Sequence, residues 1–155
     1  MRKLITVGIS DMKIASGDDV LITYALGSCV GTCIYDRGAN IIGLSHILLP
    51  NKNAGDNNLY KFADTAIKEL VRSMTAKGAL VSRMQAKIAG GAQMFTNATI
   101  KIGENNQKAV IEQLNKLGIR IIAADLGENY GRTMECHAKD GRVIIKSFNR
   151  GLRDI

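Results

Sequence analysis

The chain has 155 residues, enough for one domain that buries roughly 68–70% of its unfolded surface and needs no disulfide or metal to hold it together. Its longest apolar runs, IIGL and HILLP, fall well short of the roughly 20 residues of a membrane-spanning helix, and MRKLITVGISD turns polar too early for a secretion signal. A cytoplasmic protein with no membrane insertion is expected. The 21 basic and 14 acidic residues give a net charge of +7, which points to an acidic partner; the basic residues are scattered and aromatics make up only 5%, so nucleic acid is not the expected one.

In chain order, KLITVG and VLITY read as short strands, the second running directly into a Leu-Gly-Ser turn before Cys29. Two apolar runs, 29–36 and 41–49, flank RGAN, where Gly38 and Asn40 can supply positive φ for a hairpin. Pro50 closes the second run, and NKNAGDNN is a polar loop. Phe62, Ala66, Ile67, Leu70, Val71 and Met74 recur at helical spacing and predict a helix over about 60–77, ended by Gly78. A second helix over about 104–117 presents Ala109, Val110, Leu114 and Leu117 and stops at Gly118. MQAKIAGG lies between the helices; IRIIAAD, RTMECHA and RVIIKSF follow, the last two joined through Asp140-Gly141. The pattern is a mixed α/β single domain over residues 1–155, without repeats.

Cys29 stands directly after a sharp turn, where a nucleophile needs an accessible sulfur and unpaired backbone N–H groups beside it. With only two histidines, the candidate base is quickly found. A hairpin with an even loop places residue 36 opposite 41 and hence 31 opposite 46, so Cys29 and His46 share a face and are diagonal neighbours at about 7–8 Å; a one-residue change in the loop would separate them. The imidazole would then draw the thiol pKa down toward neutrality. The N–H groups of Gly27, Ser28 and Cys29 are the nearest oxyanion donors, and the Thr23 hydroxyl can orient His46. The alternative is a cysteine that serves as a small buried hydrophobe, which is the better reading of Cys33 and Cys136. No metal is expected: Cys29 and Cys33, four apart on a strand, stand roughly 13–14 Å apart, too far to share one zinc ion. IAGGAQMF lacks the further glycines or Gly-Lys-Ser/Thr of a phosphate loop. Gly90, Gly91, Met94 and Phe95 there either form a tight turn with the large side chains in the core, or approach a substrate or partner.

The motifs LGSCVGTCIYD, GLSHILLP, KFADTAI, AKIAGGAQMF, IGENN and GRTMECHAKDGRV, in order and spacing, resemble the CheD family of chemoreceptor glutamine deamidases over about residues 4–147, leaving a short tail, 148–155. The resemblance implies a layered α/β/β/α sandwich akin to the cytotoxic necrotizing factor-like cysteine hydrolases. It implies a hydrolase with Cys29 as nucleophile, His46 as base and Thr23 as third member. No cofactor is implied. The reaction would convert glutamine to glutamate on chemoreceptor cytoplasmic helices, with hydrolysis of glutamyl methyl esters within reach of the same chemistry. A CheC-type response-regulator phosphatase is an implied partner, and a non-catalytic regulatory protein acting through it is the alternative. IGENN, with Glu104 and Asn106 where the family often has a basic residue and Arg-Asn, and Glu128 in DLGENYGR are departures expected at an interface.

Overall fold

The computed structural model describes residues 2–95, 99–148 and 150–155. Among them, ten strands form two five-stranded sheets. The first has the order β1 (Leu4–Thr6), β3 (Val20–Leu26), β8 (Arg132–His137), β9 (Val143–Ser147), β10 (Gly151–Asp154). The second has the order β2 (Met12–Ser16), β5 (Ile41–Ile47), β4 (Val30–Asp36), β6 (Met84–Gly90), β7 (Arg120–Leu126). β4 and β5 are buried almost throughout because both faces of their sheet are covered.

One face carries α1 (Ala63–Ala76) and α2 (Ile102–Lys116), whose Ile67, Leu70, Met74, Val110 and Leu114 pack on Val30, Ile34, Ile47, Ala86 and Ile88. The other face meets the first sheet, where Cys33, Ile42, Leu44 and Ala89 contact a cluster with Leu21, Leu26, Met134, Cys136 and Ile145. Each helix ends as its glycine demands. Gly78 (φ 110) and Gly118 (φ 73) adopt the left-handed conformation, and the next residue bonds back, Ala79 N–H to Met74 O at 3.1 Å and Ile119 N–H to Leu114 O at 2.9 Å.

The mixed α+β class and the two packed sheets are as expected. The expected outer helical layers are distributed differently: both helices lie on the second sheet, so the order is α/β/β among the described residues. The physical reason is the outer face of the first sheet, where β8 presents the half-buried Thr133, Glu135 and His137 and Glu135 pairs with Lys146 at 3.0 Å. A polar face of this kind is satisfied by water.

The hairpin has the expected register, with Asp36 opposite Ile41 and Gly31 opposite His46. Asn40 supplies the positive φ of 54°. Gly38 instead makes room: a Cβ there would come 2.7 Å from Arg83 Nε. Two strands were not foreseen. β2 borders β5, and β10 turns part of the expected tail into an edge strand on β9.

Candidate active site

β3 belongs to one sheet and β4 to the other, and Gly27, Ser28 and Cys29 are all that lies between them. The crossing is prepared by a bulge: Thr23 faces Met134 but Leu26 faces Arg132, three steps against two. Ala25 absorbs the bend at φ 59°, a conformation that costs a residue with a Cβ roughly 1–2 kcal/mol. Gly27 N–H returns to Ala25 O at 3.0 Å, so this donor is occupied. The N–H groups of Ser28 and Cys29 have no backbone acceptor among the described residues, and that of Cys29 lies against its own sulfur.

The Gly90-Gly91 segment fastens this turn from the side. Gly91 N–H donates to Cys29 O and Ala92 N–H to Gly27 O, both at 2.8 Å. Gly90 has φ 111°, and any Cβ there would overlap the Cys29 carbonyl oxygen, so only glycine fits. The chain then emerges: Met94 lies over Gly27 and is 45% exposed, and Phe95 is 76% exposed. Core packing is therefore not what these two side chains do. With Ile100 and Ile102 they line a cleft that reaches Ser28.

His46 comes from β5, directly across from Gly31, and its ring lies on the inter-sheet face, fully buried. Thr23, also fully buried, reaches it from the other sheet: Oγ1 lies 2.7 Å from His46 Nδ1 and 2.7 Å from Val7 O. A carbonyl can only accept, so the single hydroxyl proton goes to Val7, and the lone pair of Oγ1 accepts from Nδ1–H. This fixes the neutral tautomer in which Nε2 carries a lone pair. Nε2 has no hydrogen-bond partner among the described residues. Val7 escaped the sequence reading, because a carbonyl acceptor leaves no mark on residue type.

Burial sets the protonation states. It lowers the His46 pKa to about 4 and pushes the Cys29 thiol up, partly offset by the backbone N–H at the sulfur. Burial thus favours the neutral form of both groups, thiol and imidazole, which runs against the expected draw of the Cys29 thiol toward neutral pH. Among the described residues no three His, Cys, Asp and Glu side chains are grouped to hold a metal ion. No helix among them is long and apolar enough to cross a membrane.

Asn106 also departs from expectation. It is fully buried on α2, donating to Ser28 O and Leu48 O at 3.0 Å each, and is no surface residue. Glu104 is at the surface, paired with Lys108 at 3.2 Å.

The family model described as CheD chemotactic sensory transduction matches residues 48–147. Relatives extend the similarity over the Cys29 turn and His46. "Probable chemoreceptor glutamine deamidase CheD" of Caldanaerobacter subterraneus subsp. tengcongensis is 45% identical over 99% of this chain and 98% of its own. The chain belongs to the CheD family. The protein of the same name from Lachnoclostridium phytofermentans is 44% identical over the whole of both chains. "Probable chemoreceptor glutamine deamidase CheD 1" of Methanosarcina acetivorans is 45% identical over 96% of this CheD-family chain and 94% of its own.

Proposed function

We propose that this protein is a chemoreceptor glutamine deamidase acting from the cytoplasm, a single-domain cysteine hydrolase with Cys29 as nucleophile, His46 as general base and Thr23 as the group that orients the base. The observation that carries the reading is the Val7–Thr23–His46 chain, which presents a free Nε2 lone pair on the face of β5 that Cys29 shares.

The chemistry follows from the resting states. Because both partners are neutral, the thiol proton passes to Nε2 as sulfur attacks the side-chain amide carbon, and the oxyanion is received by the N–H groups of Ser28 and Cys29. The tetrahedral adduct collapses as His46 returns the proton to the departing nitrogen, releasing ammonia and leaving a glutamyl thioester. Nε2 then takes a proton from water, which attacks the thioester; glutamate forms and the thiol is restored. A methyl ester would follow the same steps with methanol leaving.

The receptor's helices and a CheC-type phosphatase would share the rim formed by Met94 and Phe95, whose exposed apolar side chains beside Ser28 support a contact surface; Gly90 and Gly91, expected on the same surface, are buried and instead fasten the Cys29 turn. The test is incubation with purified chemoreceptor cytoplasmic fragments. Each converted glutamine gains about one dalton as amide nitrogen is replaced by oxygen through the thioester. An unchanged mass for every glutamine, with the wild-type protein folded, rejects the reading.

A further inference from the structure

Among the described residues, the Asn106 carboxamide alone bonds at once to the nucleophile's turn and to Leu48, the residue that follows the strand carrying the base. Its Nδ2 donates one proton to Ser28 O and the other to Leu48 O, each at 3.0 Å. Both partners are carbonyl acceptors, so the orientation of the amide is settled by chemistry: the nitrogen must face them. Its Oδ1 is buried and has no partner among the described residues.

Ser28 O belongs to the peptide plane whose other end is the Cys29 N–H. That plane is rigid and trans, so the two groups point to opposite sides. Fixing the carbonyl toward α2 turns the N–H away from α2, toward the sulfur, where an oxyanion forms. Donation to the carbonyl also polarises the peptide and strengthens its N–H as a donor. The neighbouring turns of α2 keep Asn106 in place. Gly103 packs so closely on the backbone of Gly91 and Ala92 that a Cβ would overlap it, and Gln107 Nε2 donates to Gly91 O at 2.7 Å.

We infer that Asn106 is a positioning residue for catalysis: by holding Ser28 O and Leu48 O together it sets the Cys29 N–H as an oxyanion donor and fixes the nucleophile's turn against the segment that leaves the strand bearing His46. The inference rests on the deamidase reading above.

Asn106→Leu keeps the shape and removes both donors. Deamidation of receptor fragments should then fall in kcat by about 10²–10³-fold, the cost of losing one oxyanion donor, with KM changed less than about threefold. Alkylation of Cys29 by iodoacetamide, which displaces iodide and builds no oxyanion, should stay within about threefold of wild type. Unchanged kcat, or deamidation and alkylation falling together, overturns the inference. If the leucine variant does not fold, Asn106→Ser, smaller and with one donor, is read by the same ratio. Hydrogen exchange by NMR gives a measure in the unaltered protein: the Asn106 carboxamide protons should exchange slowly, and fast exchange overturns the assignment. Cys29→Ala run alongside separates the two ideas. Deamidation retained in that variant removes the active-site reading itself, whereas its loss beside wild-type turnover in the Asn106 variants removes only this inference.

Discussion

The two ends of the β4–β5 hairpin are built from the same kinds of residue to opposite effect. At the turn, the buried Asp36 carboxylate is saturated: Arg83 grips it at 2.8 and 3.0 Å, and the N–H groups of Leu80 and Ala39 donate at 2.8 and 3.3 Å. The Arg83 guanidinium holds its pKa well below the usual carboxylate range. At the open end, His46 Nε2 and Asn106 Oδ1 are equally buried and have no partner among the described residues. Polar groups at the closed end serve the fold, since every lone pair is used. At the open end each unmet group costs about 1–3 kcal/mol, and under the proposed function the His46 lone pair is the one that takes a proton.

The sharpest break of this contrast is Cys29→Ala. It should abolish ammonia release while leaving the melting temperature near wild type, and Cys33→Ala should leave turnover close to wild type; ammonia release by Cys29→Ala would show that the open end is not where the reaction occurs. Next in size, His46→Gln should lower kcat by about 10²–10⁴-fold, the usual worth of a general base. In the wild type, Cys29 alkylation should go on rising beyond pH 9, since burial raises the thiol pKa; a plateau near neutrality would mean a standing thiolate–imidazolium pair.

His46 also predicts a stability profile. Its folded pKa of about 4 lies below the ordinary 6.5, so between those values the unfolded chain binds a proton that the folded protein refuses. Stability from this group is therefore fully present above about pH 6.5 and is lost as pH falls toward 4, by up to about 3 kcal/mol. Denaturant titrations of wild type and His46→Gln across this range measure the difference, and parallel profiles would assign the slope elsewhere. At the closed end, Asp36→Asn should cost about 1–3 kcal/mol of stability with turnover per folded molecule unchanged; a changed kcat would mean that the two ends are coupled. The smallest effect is expected from Phe95→Glu, because the side chain is largely in solvent. Circular dichroism should be unaltered and KM for receptor fragments raised roughly tenfold, and an unchanged KM takes Phe95 out of the contact.

What the sequence disclosed followed from periodicity. The α1 face, its stop at Gly78 and the pairing of Gly31 with His46 all follow from spacing and parity, which side-chain identity encodes directly. β2 was hidden because MKIAS carries too little apolar alternation to declare a strand; its pairing with β5 makes it one. Gly27, an expected oxyanion donor, is occupied because its N–H turns back to Ala25 O, a local bond that residue type does not encode. Asn106, expected at an interface, is buried, and its burial depends on which strands α2 crosses. The protonation of Cys29 and His46 needed burial from both sheets, which no local stretch contains.

The three-residue passage from β3 to β4 has a further consequence, for the order of events in folding. The second sheet can grow from the local β4–β5 hairpin, but the first must pair Val20 with His137 and Leu21 with Cys136, across most of the chain. Such distant contacts form late. Thr23 and His46 stand on different sheets, so neither sheet alone can form the hydrogen bond between them. On dilution from denaturant the far-ultraviolet helix signal should recover first and deamidase activity last, with a lag that reports the docking of one sheet on the other.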